Sequence, residues 1–370
     1  MSKKLDLWVS GVDLRRSHAG LGVFLKRLLH GISSLPDIDL KILVPNDVDL
    51  SEVAESIRKQ VVLLPFGYPD WLPETLAFPW LWERLIRYYC KHGETADSVF
   101  YSPSPIFAMI RPKRFAVTIH DFVYHDFPAY WGKWKVRLYS QILAEKYARK
   151  ADIIFAISEF TRTEALKRGF SSEKLMVAEN WIEEGFTAKA TSEAVQKMRN
   201  NLKLPEQYWL YIGGYDVRKN VPALLKAYKR LSSPPLLVLA GRVPVEVKHL
   251  LQELNLSAHI ILIGPVGEQD IPLLYTGAKL VIYPSLVEGF GLPPLEAAAC
   301  RTPCVFGKLA AHSSYLQLPH CQFDPKDQEA FIEKLMAAQE NAEQFLAPEL
   351  PKDLAEGSLE KYLKGWNMLM

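Results

Sequence analysis

Short apolar runs that stop at Gly, Pro, Ser or Asp recur along the chain, and several are separated by segments of helical period. In the first half the runs are "LDLWVSGV", "LKILVP", "VVLLP", "SVFYSP", "FAVTIHD" and "DIIFAIS". They are rich in β-branched and aromatic residues, which suits strands. Between the first two, Leu21, Phe24, Leu25, Leu28, Leu29 and Ile32 recur at intervals that give one apolar helix face. Ser158 is placed to cap a helix that Gly169 ends. The strand signal fades between Glu183 and Pro205 and then restarts as "YWLYIGG", "LLVLAG", "HIILIG", "KLVIYP" and "PCVF". Helices are expected from Asn220, Pro244, Glu268 and Pro293. Apolar strands joined by helical crossovers mean parallel sheets covered on both faces. A chain of 370 residues is too long for one ordinary core. The expected architecture is therefore α/β, with two Rossmann-like, doubly wound parallel-sheet domains facing across a cleft. The expected boundaries are residues 1–185, residues 186–350, and a terminal helix over 351–370 that can cross back to the first domain.

Composition removes several classes of function. The formal net charge is +2, so the whole protein has no field suited to nucleic acid, and no nucleic-acid partner is expected. The four cysteines, Cys90, Cys300, Cys304 and Cys321, form no CxxC pair and no His cluster at metal spacing. They are read as reduced core thiols. The start of the chain reads as a first strand interrupted by Asp6 rather than a signal peptide. No run of about 18 apolar residues occurs. The expected location is cytoplasmic.

One loop carries the most chemistry. In "SLVEGFGLPPLEAAAC", Glu288 and Glu296 flank two glycines and two prolines, between a strand and a helix. Gly289 and Gly291 let backbone N–H groups approach a ligand closely. The helix start behind them suits an anion. A carboxylate can accept two hydrogen bonds from a vicinal diol, so Glu288 and Glu296 are candidate sugar and ribose acceptors. An anion site between two diol acceptors describes a nucleotide sugar. The same residues also suit an ordinary glycine-rich turn with a helix-favouring Glu. In "YIGGYDVRKNVPALL", Arg218 and Lys219 stand just before a helix, where two cations can neutralise a diphosphate or simply be solvated. "SHAGLGVFLKRLL" puts Gly20 and Gly22 in a glycine loop before a helix, without the GxGxxG dinucleotide pattern. His120 closes the strand "FAVTIHD" and would face a cleft there, or pack as a structural residue. Two Asp-x-Asp tripeptides, Asp37–Asp39 and Asp47–Asp49, are read as a strand edge and a helix cap rather than a metal site.

Together these blocks resemble glycosyltransferase family 4, retaining enzymes of the two-domain GT-B fold. "EGFGLPPLE" is similar to the family's paired-glutamate signature. "YIGGYDVRKNVPALL", "VTIHDFVYHDFPAYW", "AISEFTRTEAL" and "AGLGVFLKRLL" match further blocks in the family's order. The resemblance reaches to about Asn341. It implies that Glu296 holds the ribose, Glu288 the transferred hexose, and Arg218 with Lys219 the diphosphate. It also implies backbone contacts from Gly289, Phe290, Gly291 and Leu292, and a first-domain contribution from Gly22 and His120. Departures from the pattern are Gly214, where many members have Arg, and Trp181 and Arg301, where glycine is usual. The segment "KLAAHSSYLQLPHCQFDP" also departs from it.

The expected function is retaining transfer of a hexose from a nucleoside-diphosphate sugar to a hydroxyl of a glycan or lipid-linked acceptor, in surface polysaccharide or glycoconjugate synthesis. GDP-mannose is the donor favoured by the resemblance. No metal or other cofactor is expected. The alternatives are a degenerate nucleotide-sugar-binding subunit and a nucleotide-sugar epimerase; the paired-glutamate loop argues against the epimerase. The stretch Tyr130–Lys150 carries Lys133, Lys135, Arg137, Lys146, Arg149 and Lys150 against Glu145, with Tyr130, Trp131 and Trp134 nearby. Basic and aromatic residues together suit an anionic membrane surface, a peripheral contact set against a plain solvated helix face.

Overall fold

The computed structural model describes residues 4–16, 20–33, 35–51, 53–69, 71–72, 74–126, 143–182, 184–187, 190–309, 311, 316–350 and 354–370. The chain divides into two compact units. The first comprises Met1–Asn180 with Glu356–Met370, and the second Trp181–Ala355.

Among the described residues the first unit holds seven parallel strands: β1 (Leu5–Ser10), β2 (Ile38–Pro45), β3 (Val61–Leu64), β4 (Ser98–Ser102), β5 (Phe115–Ile119), β6 (Ile153–Ala156) and β7 (Leu175–Val177). Their order is β3-β2-β1-β4-β5-β6-β7, so the winding reverses between β1 and β4. Among the described residues up to Asn180, the helices of eight residues or more are α1 (Gly20–Ser33), α2 (Glu74–His92) and α3 (Glu159–Lys167). Strands β4, β5 and β6 are buried along their whole length, as a sheet covered on both faces requires. Ser158 caps α3, its hydroxyl accepting the Thr161 N–H at 3.0 Å, and Gly169 ends the segment at φ +80°.

Among the described residues the second unit holds six parallel strands and most of the remaining helices. In chain order these are α4 (Ser192–Leu202), β8 (Tyr208–Ile212), α5 (Val221–Lys229), β9 (Leu236–Ala240), α6 (Val245–Glu253), β10 (Ile260–Gly264), β11 (Leu280–Tyr283), α7 (Leu292–Ala299), β12 (Cys304–Gly307), β13 (Gln322–Phe323) and α8 (Gln328–Glu340). The strand order is β10-β9-β8-β11-β12-β13, with the reversal between β8 and β11.

The last helix, α9 (Leu354–Asn367), packs on the sheet of the first unit. Tyr362 and Trp366 are fully buried. The Tyr362 ring lies 4.4 Å from that of Phe155, and the Trp366 ring lies 5.2 Å from that of Tyr101. Gly365 permits the approach, because a Cβ there would stand 2.6 Å from the Phe155 ring.

Two local expectations change. Gly22 is not in a loop ahead of a helix: α1 already begins at Gly20, and Gly22 is buried in its first turn. The second Asp-x-Asp tripeptide does not cap a helix, since the next helical segment starts at Glu55 behind Ala54. Asp49 instead accepts the Ser51 N–H at 2.8 Å in a local turn, and Asp47 pairs with Arg15. The first tripeptide runs into β2, where Asp39 pairs with Lys41 at 2.5 Å. Strands β7 and β13, three and two residues long, carry too few positions to show a period. Of the basic stretch Tyr130–Lys150, positions 130–142 lie outside the described residues.

Candidate active site

The two segments with the most chemistry follow adjacent strands. β8 and β11 are neighbours at the point where the second sheet reverses its winding, and in open α/β sheets ligands bind beyond the strand C-termini at such a point. After β8 the chain passes Gly213 and Gly214 into a 3₁₀ turn, Val217–Lys219, and then α5. Asn220 joins turn to helix at φ +54°. After β11 it runs through Ser285 to the glutamate loop and α7. The Leu286 N–H donates to the Arg218 carbonyl at 2.7 Å, which fixes one loop against the other.

This juxtaposition makes one buried polar cluster. Lys219 is 8% exposed and Glu288 is 7% exposed. The Lys219 ammonium donates to Glu288 Oε1 at 2.6 Å, and also to the Tyr283 hydroxyl. The Tyr283 hydroxyl in turn donates to Glu288 Oε1 at 2.9 Å. Arg218 Nε donates to Asp216 Oδ1 at 2.9 Å. Burial opposes ionisation of Glu288, but Lys219 and Arg218 outweigh it and hold the carboxyl at about 2. Burial pushes the Tyr283 hydroxyl well above its usual range, with the Glu288 charge adding to it, so Tyr283 stays protonated and able to donate. The resemblance implies that Arg218 and Lys219 meet a diphosphate. Here each has a carboxylate partner, and the formal charges of Asp216, Arg218, Lys219 and Glu288 sum to zero.

Glu296 lies near the first turn of α7, at its fifth residue. It is 9% exposed and accepts the Tyr275 hydroxyl at 3.0 Å. Gly291 caps α7 at φ +93°, a conformation that favours glycine. Pro293 and Pro294 have no N–H, so α7 presents fewer amides at its start than an ordinary helix. The backbone N–H groups of Gly289, Phe290, Gly291 and Leu292 come just before these two prolines in the chain.

Tyr283, Tyr275 and Asp216 were not singled out from sequence. The signal was available for Tyr283: it ends an apolar strand, and a buried tyrosine hydroxyl needs a polar partner. His120 follows β5 in the first unit, next to β4. Its Nε2 donates to the Pro103 carbonyl at 2.8 Å, and its ring meets Phe24 edge-on at 4.6 Å between centroids. Burial holds its pKa below the usual histidine value. Gly22 lies in α1, the helix that also carries Phe24. Among the described residues, no group of three or more His, Cys, Asp or Glu side chains gathers as a metal site.

Two family models match consecutive halves of the chain. "Glycosyltransferase Family 4" covers residues 19–185, and "Glycosyl transferases group 1" covers residues 193–358. The chain belongs to glycosyltransferase family 4. The O-antigen chain mannosyltransferase B of Escherichia coli is 28% identical to this family 4 chain over 244 residues, 63% of each protein. The chain thus spans less than two thirds of that curated relative's length. Sucrose-phosphate synthase from Thermosynechococcus elongatus superposes with a TM-score of 0.73 at 17% identity, covering 99% of this chain and 96% of that one. The Anabaena protein HepE, solved with UDP-glucose, superposes with a TM-score of 0.70 at 14% identity, covering 98% of each. These likenesses show the fold, which is GT-B.

The structure also locates the family 4 chain's departures from its pattern. Gly214 has its carbonyl bonded by the Tyr211 hydroxyl. Trp181 is the first residue of the second unit and is buried. Arg301 takes the left-handed conformation, φ +58°, that glycine adopts without cost, and its guanidinium donates to the Ala347 carbonyl at 2.9 Å. Among the described residues, no helix is long and apolar enough to cross a membrane.

Proposed function

We propose that this chain is a retaining glycosyltransferase that moves a hexose from a nucleoside-diphosphate sugar to a hydroxyl of a glycan or lipid-linked acceptor in surface polysaccharide synthesis. The observation that carries the reading is the cluster of Lys219, Glu288 and Tyr283 at the winding reversal of the second sheet, with Glu296 on the helix that follows the same loop. It combines a cation and a diol acceptor within one hydrogen-bonded unit. Glu296 is assigned to the ribose, Glu288 to the hexose, and Arg218 with Lys219 to the diphosphate. The loop amides from Gly289 to Leu292 are assigned to donor contacts. Gly22 and His120 are assigned to the first unit's share of the work.

Donor binding exchanges partners within the cluster. The diphosphate takes Lys219, and the hexose hydroxyls take the Glu288 carboxylate that Lys219 leaves. As the bond to the anomeric carbon breaks, negative charge grows on the leaving diphosphate, and stabilising that charge is the protein's main contribution. An acceptor hydroxyl attacking on the face the diphosphate leaves retains configuration, and a phosphate oxygen takes its proton. Glu288 is assigned to the hexose hydroxyls and is not assigned as a nucleophile. The chemistry is assigned to protein cations, with no metal.

The mannose reading is supported by the name of the Escherichia coli relative, a mannosyltransferase. A screen of GDP-mannose against UDP-linked hexoses, reading release of free nucleoside diphosphate, tests it. Release from GDP-mannose above all others is expected. Preference for a UDP-sugar would overturn the mannose assignment, and binding without release would favour the degenerate binding subunit. A peripheral membrane contact through the Tyr130–Lys150 stretch is also proposed. Flotation with anionic liposomes at low salt tests it, and protein that stays wholly at the bottom would sink it.

A further inference from the structure

We propose that Tyr283 is a positioning residue that keeps Glu288 in place when Lys219 turns from the carboxylate to the donor's diphosphate. The inference rests on the donor reading above and adds to it a residue that contacts neither the reacting carbon nor the phosphates.

The argument starts from what the exchange leaves behind. Lys219 and Tyr283 both donate to the same oxygen, Glu288 Oε1. When Lys219 leaves, the buried carboxylate loses its counter-charge, and a second donor must hold it in place for the hexose hydroxyls to reach it. Tyr283 is that donor. Its hydroxyl cannot follow Lys219, because the residue is the last of β11 and its ring is fully buried. The ring lies near-parallel to that of Tyr211, with centroids 6.4 Å apart and planes 18° apart. Tyr211 is itself tied to the Gly214 carbonyl. A rigid strand residue thus serves a carboxylate carried on a loop. The same hydroxyl also accepts from Lys219.

Tyr283→Phe keeps the ring and removes only the hydroxyl. Turnover of the best donor is measured for wild type, Tyr283→Phe, Glu288→Gln and the double variant, and binding of GDP and UDP is measured by calorimetry. The expected result is a fall in kcat of about tenfold for Tyr283→Phe, with the diphosphate Kd changed less than threefold. The double variant is expected to turn over no more slowly than Glu288→Gln alone, because Tyr283 acts only through Glu288. A kcat within twofold of wild type would overturn the inference, as would losses that multiply in the double variant. A lowered melting point together with lost diphosphate binding in Tyr283→Phe would replace positioning with a structural role. Wild type that binds neither GDP nor UDP would overturn the donor reading itself, a failure distinct from the others.

Discussion

At the scale of single residues, the two glutamates divide the work by what they touch. Glu296 bonds Tyr275 and is assigned to the ribose, so Glu296→Ala is expected to weaken binding of the bare nucleoside diphosphate by about 1.5–3 kcal/mol. Glu288→Ala is expected to leave that binding nearly intact and to reduce turnover and sugar selection. Calorimetry on both variants checks the division, and equal losses would mean the roles are wrongly assigned. Lys219→Ala should lower kcat more than it weakens binding of the intact donor, since the diphosphate gains charge on the way to the transition state. A raised KM with an unchanged kcat would remove that role. The cluster also predicts a pH dependence of stability. The Glu288 carboxyl sits at about 2 against an ordinary 4.5, so the stability it contributes is complete above the ordinary value and is lost as pH falls from there toward 2. Denaturant unfolding from pH 5 to pH 2 should show a shallower decline for Glu288→Gln than for wild type; parallel declines would contradict it.

At the scale of elements, the helix that ends the chain offers the largest single packing effect. Trp366 is wholly buried among Tyr101, Phe155 and Tyr362. Trp366→Ala removes a large side chain from a filled site and is expected to destabilise the first unit by about 3–5 kcal/mol. Denaturant unfolding followed by tyrosine and tryptophan fluorescence checks this, and a loss under 1 kcal/mol would contradict the packing described. Most strands and the cap at Ser158 were legible in the sequence, because apolar runs bounded by turn residues and a serine before a helical period carry their own physics. The start of α1 was not legible: glycines suit both a loop and a helix terminus, and only tertiary packing decides. The glutamate loop was readable as a site from its glycines and acids. The pairing of Lys219 with Glu288 was not, because it depends on which two of six strands become neighbours.

At the scale of the whole molecule, the chain has nearly balanced charge and two parallel sheets, each with its own winding reversal. Such a fold does not name a reaction, and the functional reading comes from one cluster at one of those reversals. The proposed charge balance needs no divalent ion: Lys219 supplies one positive charge as it turns from Glu288 to the diphosphate, and Arg218 supplies a second as it turns from Asp216. Either protein cations or Mg²⁺ can serve a diphosphate in principle, so the charge count is open to direct challenge. The measurement is the initial rate of nucleoside diphosphate release from the preferred donor, for wild type and Lys219→Ala, in excess EDTA and with added Mg²⁺ or Mn²⁺. The prediction is that wild type keeps its rate in EDTA while Lys219→Ala loses most of it under every condition. Wild-type activity that vanishes in EDTA and returns with metal, or Lys219→Ala at the wild-type rate, would contradict a donor site built on Lys219 and Glu288.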